Sequence, residues 1–163
     1  MRNSASISRS RFALVALLAA FVCVSTVGCN AALRRAECAG VFVQCKDFVA
    51  VAAQKSEQLG PEAASPEGLA KGAAIYAELR DCVRSIDASK CPPEFKKAFD
   101  DFAAYTARLG DVGEEIVAAY EKATAGDAEA AETAKTKAQE FISLGQELDA
   151  RLKTLQEAAK KGK

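Results

Sequence analysis

Four cysteines between positions 38 and 91 constrain this chain more than any other feature. Cys45 and Cys82 are centred on position 63.5, and Cys38 and Cys91 on 64.5. Both pairs therefore fold back about one turn signal, Gly60-Pro61-Glu62-Ala63-Ala64-Ser65. There Gly suits the end of a helix and Pro cannot continue its ladder. The stretch reads as two antiparallel helices closed by nested disulfides, Cys38–Cys91 and Cys45–Cys82. Pairing Cys38 with Cys45 fails, because seven helical residues separate them by about 10.5 Å, and a disulfide spans at most about 7 Å between Cα atoms. The crossed pairing would centre on 60 and 68, which no single hairpin register satisfies. The inner bridge closes 38 residues, worth about 3–4 kcal/mol on chain-entropy grounds. Two other uses of these thiols stand as alternatives. A redox pair would favour Cys-x-x-Cys or a low-pKa setting, and a four-cysteine metal site would need every sulfur about 2.3 Å from one ion.

An even set of cysteines implies disulfides only in an exported chain, and the first thirty residues predict export. Arg2, Arg9 and Arg11 precede an uncharged run from Phe12 to Gly28, the charged-then-apolar order of a signal segment. That run of 17 residues lies at the low edge for a membrane span, so an uncleaved anchor is the alternative. The end of the run, Ser25-Thr26-Val27-Gly28-Cys29, resembles the bacterial lipoprotein signal, in which small residues precede a cysteine that is lipidated and becomes the mature N-terminus. The resemblance implies a signal peptide at 1–28, lipidation of Cys29 and a mature domain at 29–163. Asn30 after the lipidated cysteine implies sorting to the outer membrane in a Gram-negative envelope. Loss of the leader leaves 19 basic and 22 acidic side chains. Such a balance gives no electrostatic case for nucleic acid.

Beyond the leader, helical periodicity dominates and predicts four helices, at about 31–59, 66–89, 93–124 and 127–160. The apolar stripe of the first is Cys38, Phe42, Cys45, Val49 and Ala52; that of the second is Leu69, Ala73, Tyr76, Leu79, Val83 and Ile86. Ser65 caps the second helix and Pro66 occupies its first turn. The third carries Phe95, Phe99, Phe102, Thr106, Leu109, Gly113, Ile116, Tyr120 and Ala123 in heptad steps. Gly110-Asp111-Val112-Gly113-Glu114 mimics a cap and capping box, but the seam keeps its phase across it, so one continuous, locally weakened helix is expected. Asp127 caps the fourth helix, whose seam runs Ala131, Ala134, Ala138, Phe141, Gly145, Leu148, Leu152, Leu155 and Ala159. Matched long helices and short turns predict an all-α, up-down-up-down antiparallel four-helix bundle with a disulfide-stapled first hairpin.

The chain holds no His and no Trp, and its only Met is the first residue. That removes His-based general bases and metal ligands, serine and cysteine triads and covalent haem attachment. Asp100-Asp101, Glu114-Glu115 and the Glu129/Glu132 pair are the remaining candidates for a hard cation or acid–base work, and all fall on the polar side of the seams. Arg34-Arg35 lies close to the lipid site. Tyr105, just off its seam, is the expected exposed aromatic. Pro93-Glu94-Phe95-Lys96-Lys97-Ala98-Phe99, the helix after it, and the turn at Gly126-Asp127-Ala128-Glu129 resemble the second half of periplasmic b-type cytochrome bundles. That family holds haem with a Met and a His, which this chain lacks, so the resemblance implies the fold without the cofactor.

The sequence therefore predicts a lipid-anchored cell-envelope bundle, not an enzyme. It would attach to the membrane through its lipid and bind or scaffold another envelope protein. The alternative is a carrier of a small apolar ligand or metal ion, without haem, in a cavity lined by Phe99, Phe102, Gly113, Tyr120, Phe141 and Gly145. Gly113 and Gly145 would leave room for such a cavity; close helix approach at small residues is the structural counterpart.

Overall fold

The structure is a computed structural model that describes the backbone of residues 6–161 and the side chains of residues 32–161, those of 64 and 66 excepted. Its elements are α1 (Ser6–Leu59), a short 3-10 turn (Gly60–Ala64), α2 (Pro66–Arg84), α3 (Pro93–Thr124) and α4 (Ala128–Lys161). No strand occurs among the described residues. The signal segment at 1–28 and the lipidation site at Cys29 rest on side chains outside the described set. The backbone of α1 runs back to Ser6 rather than starting near 31, because no proline interrupts that run and the lone Gly28 costs a helix only about 1 kcal/mol.

The turn after α1 is built by its residue types. Gly60 takes φ +50°, the left-handed conformation that glycine adopts at little cost. The 3-10 turn then folds over the start of α2. Ser65 Oγ accepts the Gly68 N–H at 3.0 Å and donates to the Glu62 carbonyl at 2.7 Å, satisfying one orphan donor of the helix end. A Cβ on Gly68 would lie 1.8 Å from the Glu62 carbonyl oxygen, so no larger residue fits this turn.

Helix α2 ends at Arg84, five residues short of the predicted boundary at 89. Local polar groups account for the difference. Ser85 Oγ donates to the Cys82 carbonyl at 2.7 Å, and Asp87 Oδ1 accepts the Ser89 N–H at 2.8 Å. Such side-chain bonds offer the backbone an alternative to the helical ladder, and Pro92-Pro93 then starts α3. Helix α3 passes through Gly110–Gly113 without interruption. Helix α4 follows Gly126 at φ +100° and is capped by Asp127 Oδ1, which accepts the Glu129 and Ala130 N–H groups at 3.0 and 3.1 Å.

Helix α3 is the centre of the packing. Its contacts with α4 and with α2 are the most extensive in the molecule, whereas those of α1 with α2 and α4 are much sparser. Phe95, Phe102, Leu109, Val83, Leu155 and Cys45 are fully enclosed. A helix packed on both sides buries a wider arc than one seam, and α3 accordingly also buries Gly110, Val112 and Ala119. On α4, Ala130 is buried and the seam residue Ala131 is exposed. Thr106, the one buried polar residue among the described residues, returns its hydroxyl to the Ala103 carbonyl at 3.0 Å.

Candidate functional site

Cys38 and Cys45 lie on α1, Cys82 lies near the end of α2, and Cys91 lies in the loop before α3. Cys38, Cys45 and Cys91 are buried and Cys82 is half-buried; all four are free thiols in this structure. Cys38 and Cys91 lie near each other. Burial pushes the Cys45 thiol up to about 12. Burial, followed by the neighbouring Cys38 thiol, does the same to Cys91, also to about 12. A thiol so disfavoured as thiolate is a poor nucleophile and a poor metal ligand. The outer pair predicted from spacing is thus brought together. Cys82, of the inner pair, lines a cleft of about 200 Å³ between α1 and α2 beside Phe48, Val51, Ile75 and Leu79. Lys55 and Glu78, also in its wall, are ion-paired at 2.5 Å.

The six residues proposed to line an interior cavity are not gathered around one space. Phe99 and Phe102 are buried in the core. A Cβ on Gly113 would lie 3.1 Å from the Ala73 Cα and 3.4 Å from the Phe141 ring, so that position is filled by close approach of α2. Phe141 meets Tyr76 edge to face, with ring centroids 5.1 Å apart. Gly145 faces open space, and Tyr120 lines a separate surface groove with Glu67, Leu69, Val117 and Thr124.

The carboxylates do not converge either. Asp100 pairs with Lys96 at 2.7 Å along α3, and Asp101, Glu129 and Glu132 are exposed. Glu115 pairs with Lys137 at 2.5 Å and with Arg108 at 3.6 Å. Glu140 accepts from Arg108 and Lys137, and the Arg108 guanidinium, then Lys137, holds its carboxyl below the usual range. These four residues strap α3 to α4. No group of three or more metal-ligating side chains occurs among the described residues.

Two features escaped the periodicity. Arg80 is only 13% exposed and reaches Asp111 and Glu114 at 2.9 Å and Asp81 at 3.0 Å. The bonds to Glu114, Asp81 and Asp111 raise its basicity further. Its stem lies 3.2 Å from where a Gly110 Cβ would stand. Gly110 thus makes room for a guanidinium clasp joining α2 to α3, and the opposed glycine and arginine were the only signal of it. Tyr105, expected to be exposed, is half-buried: its hydroxyl donates to the Leu144 carbonyl, and the Arg151 guanidinium lies 5.0 Å over its ring. Burial and the nearby Glu147 raise its phenol.

The described side chains thus make helix-to-helix straps, with Cys38 and Cys91 adjacent and buried. Among the described residues no helix is long and apolar enough to cross a membrane. No protein-family model, curated protein or solved structure matches the chain.

Proposed function

We propose that this is a lipid-anchored helical protein of the bacterial cell envelope that binds or scaffolds another envelope protein and performs no catalysis. The observation that carries the reading is the leader: three arginines, a 17-residue apolar run and Ser25-Thr26-Val27-Gly28-Cys29. The lipid on Cys29 supplies the attachment, since a multiply acylated cysteine has the two or more chains that stable anchoring needs. Outer-membrane placement follows from Asn30 by the same resemblance. The packing is consistent with a structural role, because the polar side chains with the shortest contacts are engaged in joining helices.

The same reading includes an up-down-up-down antiparallel arrangement with a stapled first hairpin. Contact partners that run in opposite directions support it. Tyr105, Arg108 and Glu115 on α3 meet Leu144, Glu140 and Lys137 on α4 in descending order. Lys55 meets Glu78 and Ser56 meets Tyr76 at one end of α1–α2, and Glu37 meets Lys90 at the other. The adjacency of Cys38 and Cys91 supports the outer bridge, and the shared turn centre supports Cys45–Cys82.

Two measurements test the reading. Crosslinking and pull-down from intact cells should recover an envelope partner with the native chain and lose it with Cys29→Ala, which removes membrane attachment. Recovery unchanged by Cys29→Ala would mean that the lipid is irrelevant to binding. Mass spectrometry of proteolysed, non-reduced protein should show both bridges, and free thiols in exported material would sink the staple.

A further inference from the structure

The charges of the molecule are sorted by end. On the antiparallel arrangement proposed above, residues 32–38, 87–97 and 157–161 share the end that holds Cys38 and Cys91. These segments carry seven basic and four acidic side chains. Residues 57–67 and 121–132 share the other end and carry one basic and seven acidic side chains. All of these charged groups are exposed except the half-buried Glu37. At the basic end, acidic groups are partly answered within the chain: Glu37 lies 3.9 Å from Lys90, and Glu157 lies 2.9 Å from Lys160. Arg34, Arg35, Lys97 and Lys161 are exposed and make no ion pair with another described residue. Three separate stretches of chain thus contribute to one positive face, a segregation that neither the near-neutral total charge nor any one helix reveals.

We infer that this basic face rests on the anionic phospholipid headgroups of the membrane that carries the anchor, and holds the bundle end-on with its acidic end outward. The inference rests on the lipid-anchored reading above and adds to it an oriented contact with a defined surface chemistry. Charge complementarity and chain direction agree on the occupant. Arg34 and Arg35 follow Cys29 by five and six positions, so the chain enters the membrane from this face. Basic residues within a Debye length of about 8 Å of an anionic leaflet favour the contact by roughly fivefold each. The acidic end lies about 50 Å away along α4, far outside that screening length. A bundle lying on its side would bring seven carboxylates against the same surface, so repulsion there reinforces the end-on pose.

The test uses the full lipidated chain reconstituted into vesicles of pure phosphatidylcholine and into vesicles with about a third phosphatidylglycerol, followed by hydrogen exchange. In the anionic vesicles, segments 32–38, 87–97 and 157–161 should exchange several-fold more slowly than in the neutral ones. Added salt should abolish the difference, and segments 57–67 and 121–132 should not change. The triple variant Lys97→Glu, Lys160→Glu, Lys161→Glu should remove the protection while keeping its helical circular dichroism and still floating with both vesicles. Equal exchange in the two lipids overturns the headgroup contact while leaving the anchor standing. Protection confined to 32–38 overturns the shared basic face. A chain that floats with neither vesicle refutes the lipid anchor itself.

Discussion

The two halves of this chain hold together by different means. Helices α3 and α4 run for 32 and 34 residues, pack along their length on aromatic and leucine side chains, and are strapped by Arg108, Glu115, Lys137 and Glu140. Helix α1 makes far sparser contacts with α2 and α4, and the buried face of its described residues is small: Cys38, Val41, Cys45, Val49 and Ala52. Apolar burial contributes about 25 cal/mol per Å², so a stripe of valine, alanine and cysteine yields much less than one of phenylalanine and leucine. The cysteines sit on the side of the molecule where packing is thinnest. The comparison teaches that the proposed bridges would put a covalent link where the described core is small, while the long helices hold together without one.

The largest expected effect lies in the better-packed half. Phe102→Ala removes a ring that is 2% exposed in the N-terminal third of α3, and such a truncation costs about 3–5 kcal/mol. Val49→Ala on α1 should cost clearly less, because fewer buried atoms are lost. Denaturant unfolding followed by circular dichroism compares the two, and equal losses would erase the distinction between the halves.

Reduction should act on the other half. The proposed inner bridge would be worth about 3–4 kcal/mol and the outer would add less, since the hairpin would already be closed. Hydrogen exchange of reduced protein should show α1 and the end of α2 opening first, with α3 and α4 still paired. Reduced protein should further lose stability as pH rises from about 9 toward 12. The thiols of Cys45 and Cys91 are pushed up to about 12 by burial, so above the unfolded thiol pKa only the unfolded state gains by ionising. Reduction that lowers no thermal stability would end the clamp idea.

Two glycines sharpen the contrast within the long helices, and they separate what the sequence discloses from what it hides. Heptad phase placed Gly113 and Gly145 on facing seams and suggested one cavity. Their surroundings differ. Gly113 lies against Ala73 and Phe141, where an added Cβ must displace atoms at 3.1–3.4 Å, an overpacking cost of about 1–3 kcal/mol. Gly145 has open space, so Gly145→Ala should stabilise by up to about 1 kcal/mol through helix propensity. Opposite signs in thermal unfolding are expected, and two stabilising substitutions would mean that α2 does not approach α3 as described.

Periodicity shows which residues share a face, but not how far a helix is rotated toward each neighbour. The α3 range and the Ser65 and Asp127 caps were legible because they depend on neighbours in sequence. The Arg80 clasp over Gly110, the Tyr105 bond to Leu144 and the early end of α2 were not. The first two depend on partners thirty or more residues away, and the third on competing side-chain bonds at Ser85 and Asp87. The paired carboxylates were correctly placed outside the seams, yet Glu114 and Glu115 turned out to be tied to different helices, α2 through Arg80 and α4 through Lys137.

The smallest expected effect concerns the electrostatic strap. Glu140 is held below the ordinary carboxylate range, first by the Arg108 guanidinium and then by Lys137. A carboxylate whose folded pKa is depressed contributes stability above its unfolded pKa, near 4.3, and loses it as pH falls through the lower folded value. Native protein should therefore lose a small increment of α3–α4 stability on acidification below about pH 4.3, and Glu140→Gln should lack that increment while behaving like native protein below it. Exposure and salt screening keep the effect small, so the decisive comparison is the difference in unfolding midpoint between the two proteins across pH 3 to 6 at low and high ionic strength. A difference that persists unchanged at pH 3, or that ignores salt, would assign Glu140 to packing rather than charge. The strap would then join the apolar core as a further reason for the cohesion of α3 and α4.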